Sequence, residues 1–457
     1  MPTNILNLPS YTVTRVHETE HDYSVYATVN ILPTCPACGS DRLHGFGRRE
    51  QMVRDLPSHG KRVAIYVDTR RFKCLACSQG RVATFSEPLP DVDDKRAMTA
   101  RLVRWIGQQS LKRTFASLAE EVGCVEGTVR LIFGDYVNEL ERTVRFETPT
   151  WMGIDEVHII RPRCVISNIR NNTIVNMLPN RDKKTVVNYL SHLEGKREIQ
   201  TVAMDMWVPY RDAVQAVLPD ARIVIDKFHV VKMANEAVEK VRKSLRESLT
   251  PKQRRGLMHD RFLLLKRERD LDDKGRLLLD GWTQNYPELG AAYRLKEAFF
   301  GVYEGLGTPA DALRRYEAWV HSVTPDVHDA FSDLIRAFTN WQPQILAYFD
   351  HPVTNAYTES LNGLIRVMDR LGRGYSFEAL RAKILFTEGS HKKQDARPKF
   401  ERRVAKPTAR AWGLAGTGGG GTLYQSAADY QHDELPADLN FGADISTLTR
   451  LIENGEL

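Results

Sequence analysis

Between residues 147 and 230 the apolar pattern switches repeatedly between strand-like and helix-like runs, and nothing else in the chain restricts its fold so tightly. Strands are expected near 151–160, 164–170 and 173–178, and a helix near 182–194. A strand near 200–205, a helix near 208–217 and a strand near 222–226 complete the series. The resulting order is β-β-β-α-β-α-β.

That order matches a ribonuclease-H-like core. Asp155, at the end of TWMGID, then falls on the first strand, and Asp205, closing TVAMD, falls at the end of the fourth. A third carboxylate, Glu359, sits in the helical stretch NAYTESLNGLIRVMDRLGRG. Three carboxylates delivered from two strand ends and a helix suit a pair of divalent cations, and hard oxygen ligands favour Mg²⁺ or Mn²⁺. Such pairs activate water and stabilise the leaving oxygen in phosphodiester chemistry. Glu156 points to the other side of its strand and is the weaker ligand. Asn355 and Asn362 share a helix face with Glu359, where their amides would orient its carboxylate or touch a DNA phosphate. In Asp226-Lys227-Phe228-His229 the imidazole would hold a scissile phosphate or shuttle a proton; the competing role is a helix start capped by Asp226. Trp207 is near enough to Asp205 to stack a flipped base at the rim of the site, with core packing as the competing expectation.

The flanking regions add further modules. Cys35, Cys38, Cys74 and Cys77 form a CxxC-x35-CxxC pattern, expected to hold one structural Zn²⁺ through four thiolates. The long spacer fits a ribbon with an inserted hairpin, and residues 1–90 read as this zinc-ribbon DNA-binding domain. Cys124 and Cys164 read as plain core residues. Residues 91–146 read as a helix-turn-helix, with Ala116, Ala119, Gly123 and Val129 at the helix crossing and Thr128 and Arg130 facing the major groove. The core is expected to run over 147–230 and resume over 351–415, interrupted by an all-helical insertion over 231–350 that contains Trp282, Trp319 and Trp341. A Gly-rich linker at 417–421 leads to a flexible acidic tail over 416–457. The fold class is therefore α/β and multidomain.

At 457 residues the chain has ample length for several cores, and its six cysteines are too few for a disulfide scaffold. Neither a membrane-spanning apolar run nor a signal-like start is evident, which points to the cytoplasm. The net charge of +6 is unevenly spread: residues 221–270 hold 14 Lys and Arg against 7 acids, and residues 363–410 hold 13 against 5. The second cluster contains Arg366, Arg370 and Arg373. Basic surface beside an acidic site suggests a polyanionic partner.

Taken in order, CPACGS, CLAC, FASLAEEVGCVEGTV, GIDE, VAMDMWVPYRDAV, ARIVIDKFHVV and NAYTESLNGLIRVMDRLGRGYSFEALRAKILF resemble a bacterial DDE-class insertion-sequence transposase of the family named for the L-three insertion element. The resemblance covers about residues 30–390. It implies a ribonuclease-H-like catalytic core with a helical insertion and a DDE triad on Asp155, Asp205 and Glu359. DKFH is similar to the "Asp or Cys, two residues, His" signature of related transposases, which gives Asp226 and His229 a place in the site. The implied activity is metal-dependent 3′-end cleavage at terminal inverted repeats and strand transfer into target DNA. A homodimer on double-stranded DNA, associated with the nucleoid, is expected, with no membrane and no small-molecule substrate. Competing readings are a non-catalytic DNA-binding regulator and another nuclease on the same core, such as a junction resolvase, which would not join strands.

Overall fold

The computed structural model describes residues 7–77, 84–305 and 307–389. The linker at 417–421, the acidic tail and the end of the second basic cluster lie outside the described residues.

The N-terminal sheet contains β1 (Tyr11–Glu18), β2 (Asp22–Val29), β3 (Leu43–Ser58), β4 (Lys61–Cys74) and β5 (Thr84–Ser86). Its order is β1-β2-β4-β3, with β5 paired to β4. Alternating residues Val25, Ala27, Val53, Val63, Ile65 and Val67 turn inward to form a small core. The long strand β3 was hidden in the sequence, because LHGFGRREQMVRDLPS contains two glycines, a proline and six charged or histidine side chains. Antiparallel pairing with β4 supplies the order that local propensity does not.

Three helices follow: α1 (Ala100–Ser110), α2 (Phe115–Val122) and α3 (Glu126–Thr143). Thr99 and Thr114 cap the first two, and α2 stops where Gly123 turns left-handed at φ 72°. Phe115, Leu118, Ala119, Val122, Val129, Ile132 and Phe133 fill the space between them. Ala116, expected at the helix crossing, is exposed instead, because it lies on the outer face of α2.

The second sheet contains β6 (Trp151–Ile159), β7 (Arg161–Asn168), β8 (Thr173–Leu178), β9 (Thr201–Met204) and β10 (Arg222–Ile225), in the order β10-β9-β6-β7-β8. β6, β7 and β8 form an antiparallel meander, while β9 and β10 run parallel to β6. The crossover helices are α4 (Lys183–Ser191) and α5 (Val208–Val217), as parallel neighbours require. Period-2 alternation divides β6 between two cores. Met152 and Ile154 pack with α4 and α5. Val157 and Ile159 pack on the other face with α1–α3 and with two C-terminal helices, α13 (Ala356–Gly372) and α14 (Phe377–Glu388). The region 91–146 therefore shares its core with this sheet.

Between β10 and α13 the chain is helical: α6 (Lys227–Ser244), α7 (Pro251–His259), α8 (Arg261–Leu265), α9 (Asp273–Asn285), α10 (Pro287–Glu304), α11 (Pro309–Ser322) and α12 (Pro325–Leu346). The position expected to open the insertion, residue 231, lies inside α6, which packs along α10 and α12. Trp319 and Trp341 are buried, and Trp282 is half-buried with its indole N–H donating to Asp260. Among the described residues no helix is long and apolar enough to cross a membrane.

Candidate active site and metal centres

The carboxyl ends of the parallel strands, where open sheets collect their ligands, carry the acidic residues. Asp155 lies in the middle of β6 rather than at its end, and it is buried. Its Oδ1 accepts from the Glu156 amide at 2.7 Å, and its Oδ2 from the Asn362 side-chain amide at 2.8 Å. Asp205 is the first residue after β9 and stands just before α5. Asp226 follows β10, caps α6 by accepting from Phe228 N at 3.1 Å, and accepts from Asn355 N at 3.2 Å. His229, in the first turn of α6, places Nε2 2.6 Å from Asp205 Oδ1 and 3.6 Å from Glu359 Oε1. Asp155, Asp205 and His229 form one group of potential ligands, and Asp226, His229 and Glu359 a second; within each, the ligand atoms lie within 4.8 Å of one another.

Glu359 reaches this place because α13 lies directly on β6. A Cβ on Gly153 would come within 2.4–2.5 Å of the side chains of Ser167, Asn355 and Thr358, so only glycine allows that approach. Ser167 and Thr358 share a hydrogen bond of 2.6 Å, Thr358 donates to Asn355 Oδ1 at 2.5 Å, and Asn355 Nδ2 donates to Ile154 O at 3.3 Å. These contacts correct the expectation for Asn355 and Asn362. Both are buried, which keeps them from DNA phosphates, and Asn362 orients Asp155 rather than Glu359.

Burial and mutual repulsion set the electrostatics. Burial, then the charges of Asp205 and its neighbours, push Asp155 well above the usual carboxylate range. Burial and Asp226 push Glu359 up to about 8, and burial pushes Asp226 up to about 6. Burial alone would lower His229, but its contact with Asp205 and the surrounding carboxylates raise it to about 10, so the ring is an imidazolium at neutral pH. Four carboxylates thus face one imidazolium, with Lys232 acting on Glu359 from farther out. Oxygen donors with surplus negative charge fit divalent cations, which would reverse the repulsion.

The four cysteines also converge. Sγ–Sγ separations are 3.7 Å for Cys35–Cys77, 3.6 Å for Cys38–Cys74 and 3.5 Å for Cys38–Cys77. Tetrahedral Zn²⁺ with Zn–S near 2.3 Å requires edges of about 3.8 Å. Gly39 at φ 71° closes the first knuckle, its N–H donating to Cys35 O at 2.8 Å. Cys164 is buried as expected for a core residue, and Cys124 is half-buried.

Other expected residues are more dispersed. Trp207 is 37% exposed and lines a cavity of about 300 Å³ with Asp205, His229 and Lys232, which sets aside core packing for it. The Arg181 guanidinium lies 4.3 Å from its ring centroid and pairs with Glu156. Thr128 is half-buried, and the exposed Arg130 is paired with Glu126 and lies over Phe115. Arg366, Arg370 and Arg373 are exposed toward the end of α13. The sequence reading missed Gly153, Ser167, Thr358 and Arg181. Gly153 and Ser167 act only through α13, which carries Thr358 and arrives some 200 residues later, and a glycine within an otherwise apolar strand was the one local sign of close approach.

Residues 152–384 match the ISL3 family profile described as "Transposase", and residues 32–77 match one described as "zinc-finger of transposase IS204/IS1001/IS1096/IS1165". A protein of Bordetella parapertussis, "Transposase for insertion sequence element IS1001", is 25% identical over 349 residues, covering 75% of this chain and 85% of the relative. "Transposase for insertion sequence element IS1557" of Mycobacterium tuberculosis H37Rv is 27% identical over 282 residues, covering 55% of this chain and 63% of that one. With the zinc-ribbon cysteines gathered at one end and the acidic residues at the sheet, the chain belongs to the ISL3 family of insertion-sequence transposases.

Proposed function

We propose that the β10-β9-β6-β7-β8 sheet is a ribonuclease-H-like catalytic core that cleaves the 3′ ends of an insertion sequence and transfers them into target DNA. The observation that carries this reading is the gathering of Asp155, Asp205 and Glu359 about His229. Asp155, Asp205 and Glu359 would hold two divalent cations, Mg²⁺ or Mn²⁺. Bound there, such a pair lowers the pKa of an attacking water or hydroxyl and offsets charge on the leaving oxygen. Asn362 fixes the angle of the Asp155 carboxylate, and Asp226 anchors the starts of α6 and α13. His229, whose Nε2 faces Asp205 Oδ1 at 2.6 Å, would hold the scissile phosphate or shuttle a proton beside it. Arg366, Arg370 and Arg373 contact phosphates beyond the cut, while Trp207 gives a stacking surface to an unpaired base. The zinc ribbon and the α2–turn–α3 unit, with Thr128 and Arg130, bind the terminal inverted repeats. Joining two ends in one event calls for at least a homodimer, acting on the nucleoid in the cytoplasm.

The test is strand cleavage of duplexes carrying the element's ends. Asp155→Asn, Asp205→Asn and Glu359→Gln are each expected to abolish Mg²⁺-dependent cleavage and strand transfer while end binding persists. Near-full cleavage by any one of them removes that residue from the site. A non-catalytic regulator would bind ends without cutting, and a resolvase would cut without joining.

A further inference from the structure

The β3–β4 hairpin extends well past its own core. Val53 and Asp55 are buried, yet residues 44–50 are exposed throughout. β3 is also the edge strand of its sheet. The pairing sets Arg49 opposite Thr69, Arg48 opposite Arg70 and His44 opposite Lys73, with Phe46 and Gly47 bulged opposite Arg71. Gly47 takes φ 108°, a conformation that other side chains resist.

Alternation gives this extension two different faces. One is neutralised: Arg48 pairs with Asp68 at 2.6 Å and Arg70 with Glu87 at 2.8 Å. The other carries His44, Arg49, Arg71 and Lys73, and among the described residues no carboxylate forms an ion pair with Arg49, Arg71 or Lys73. Arg71 instead lies 5.8 Å from the centroid of the Phe46 ring, which is 51% exposed. Positive charge on an edge strand also discourages aggregation. An exposed phenyl ring works against that role, so protection alone does not explain the face. Positions 69, 71 and 73 on β4 are separated by steps of about 7 Å, comparable with the separation of successive phosphates on a nucleic-acid strand. Cys74 directly follows Lys73, so the cysteine cluster fixes the end of this row.

We propose that this face grips double-stranded DNA, with Arg49, Arg71 and Lys73 on backbone phosphates and Phe46 against base edges at the mouth of the groove. The proposal rests on the transposase reading and names where the duplex is held.

The test uses the full chain with zinc bound and without Mg²⁺. Its probes are short fluorescent duplexes taken from the DNA bordering the coding sequence, with a scrambled duplex as comparison. Arg49→Gln/Arg71→Gln/Lys73→Gln is expected to lower the slope of log affinity against log salt by about 2–3, at about 0.9 per phosphate contact. Affinity near 0.1 M salt then falls by roughly a hundredfold or more. Phe46→Ala keeps the slope and reduces the preference for the bordering duplex. An unaltered slope and affinity in the triple variant overturns the proposal. Absence of binding by the wild type would count against the DNA reading of the whole chain instead. Zinc content and melting temperature report on folding. Should the triple variant misfold, a photoreactive benzoyl group at position 46 is expected to crosslink to the duplex, and failure to crosslink also overturns the proposal.

Discussion

Glu359 and His229 make the acidic cluster sensitive to pH in a defined direction. Glu359 is held up at about 8 against an ordinary 4.5, so the folded chain keeps a proton that the unfolded chain has released. Stability without a divalent cation therefore falls as pH rises from about 4.5 toward 8. His229, raised from 6.5 to about 10, acts in the same sense: its contribution is full below about 6.5 and is lost as pH passes 10. A bound cation relieves the repulsion among the carboxylates. The rise in melting temperature on adding Mg²⁺ is thus expected to be small near pH 5 and largest near pH 8, read by thermal denaturation of zinc-loaded protein. A rise independent of pH would place Mg²⁺ away from these carboxylates. At this scale the positions of Asp205, Asp226, His229 and Glu359 were legible because each stands at or near the end of an element with strong local periodicity, whereas Asp155, expected at a strand end, lies mid-strand. The true partners of Asn355 and Asn362 were not, because their helix face meets a strand some 200 residues earlier, and helical spacing shows which residues share a face but not what that face touches.

The helices α5, α6 and α13 all begin at the site, next to Asp205, Asp226 and Asn355. Their free N–H groups and positive dipole ends favour the surrounding anions. At the other end of the chain, β3 and β4 are tied together by thiolates at one extremity and by a two-residue turn at the other. Removing zinc is expected to release four reactive thiols, raise amide exchange over 35–50 and 69–77, and weaken duplex binding, while the Mg²⁺-induced rise in melting temperature persists. Mass spectrometry after thiol labelling and exchange checks this; a chelator that leaves exchange in both segments unaltered would show that the metal does not order the hairpin. The strands and helices of the second sheet matched their expected spans to within a few residues, since apolar runs flanked by turn residues mark them locally. β3 stayed hidden because its order comes from a partner strand and not from its own side chains.

The molecule as a whole is less modular than its sequence suggests. Val157, Val165 and Met177 of the sheet, Leu361 and Ile365 of α13, and Leu380 and Leu385 of α14 bury themselves against α1–α3. Lys383 of α14 reinforces the join by donating to the Arg113 carbonyl at 2.9 Å, with its ammonium 4.7 Å from the Phe115 ring centroid and 4.8 Å from that of Tyr375. Deleting residues 1–146 is therefore expected to yield aggregated protein and to remove more than end recognition; a soluble, monodisperse fragment with the wild-type Mg²⁺ response, judged by gel filtration and melting, would contradict this. Shared cores are invisible to a reading that proceeds segment by segment, because hydrophobic periodicity marks an apolar face without saying which distant element covers it.

The helix α6 runs uninterrupted for 18 residues, about 27 Å, from His229 in its first turn to Arg242 and Lys243 in its last. Because α6 packs along α10 and α12, one unbroken helix joins the candidate site to the helical insertion. Packing faults introduced at the far end of α6 are therefore expected to be felt at His229 as well as in the insertion itself.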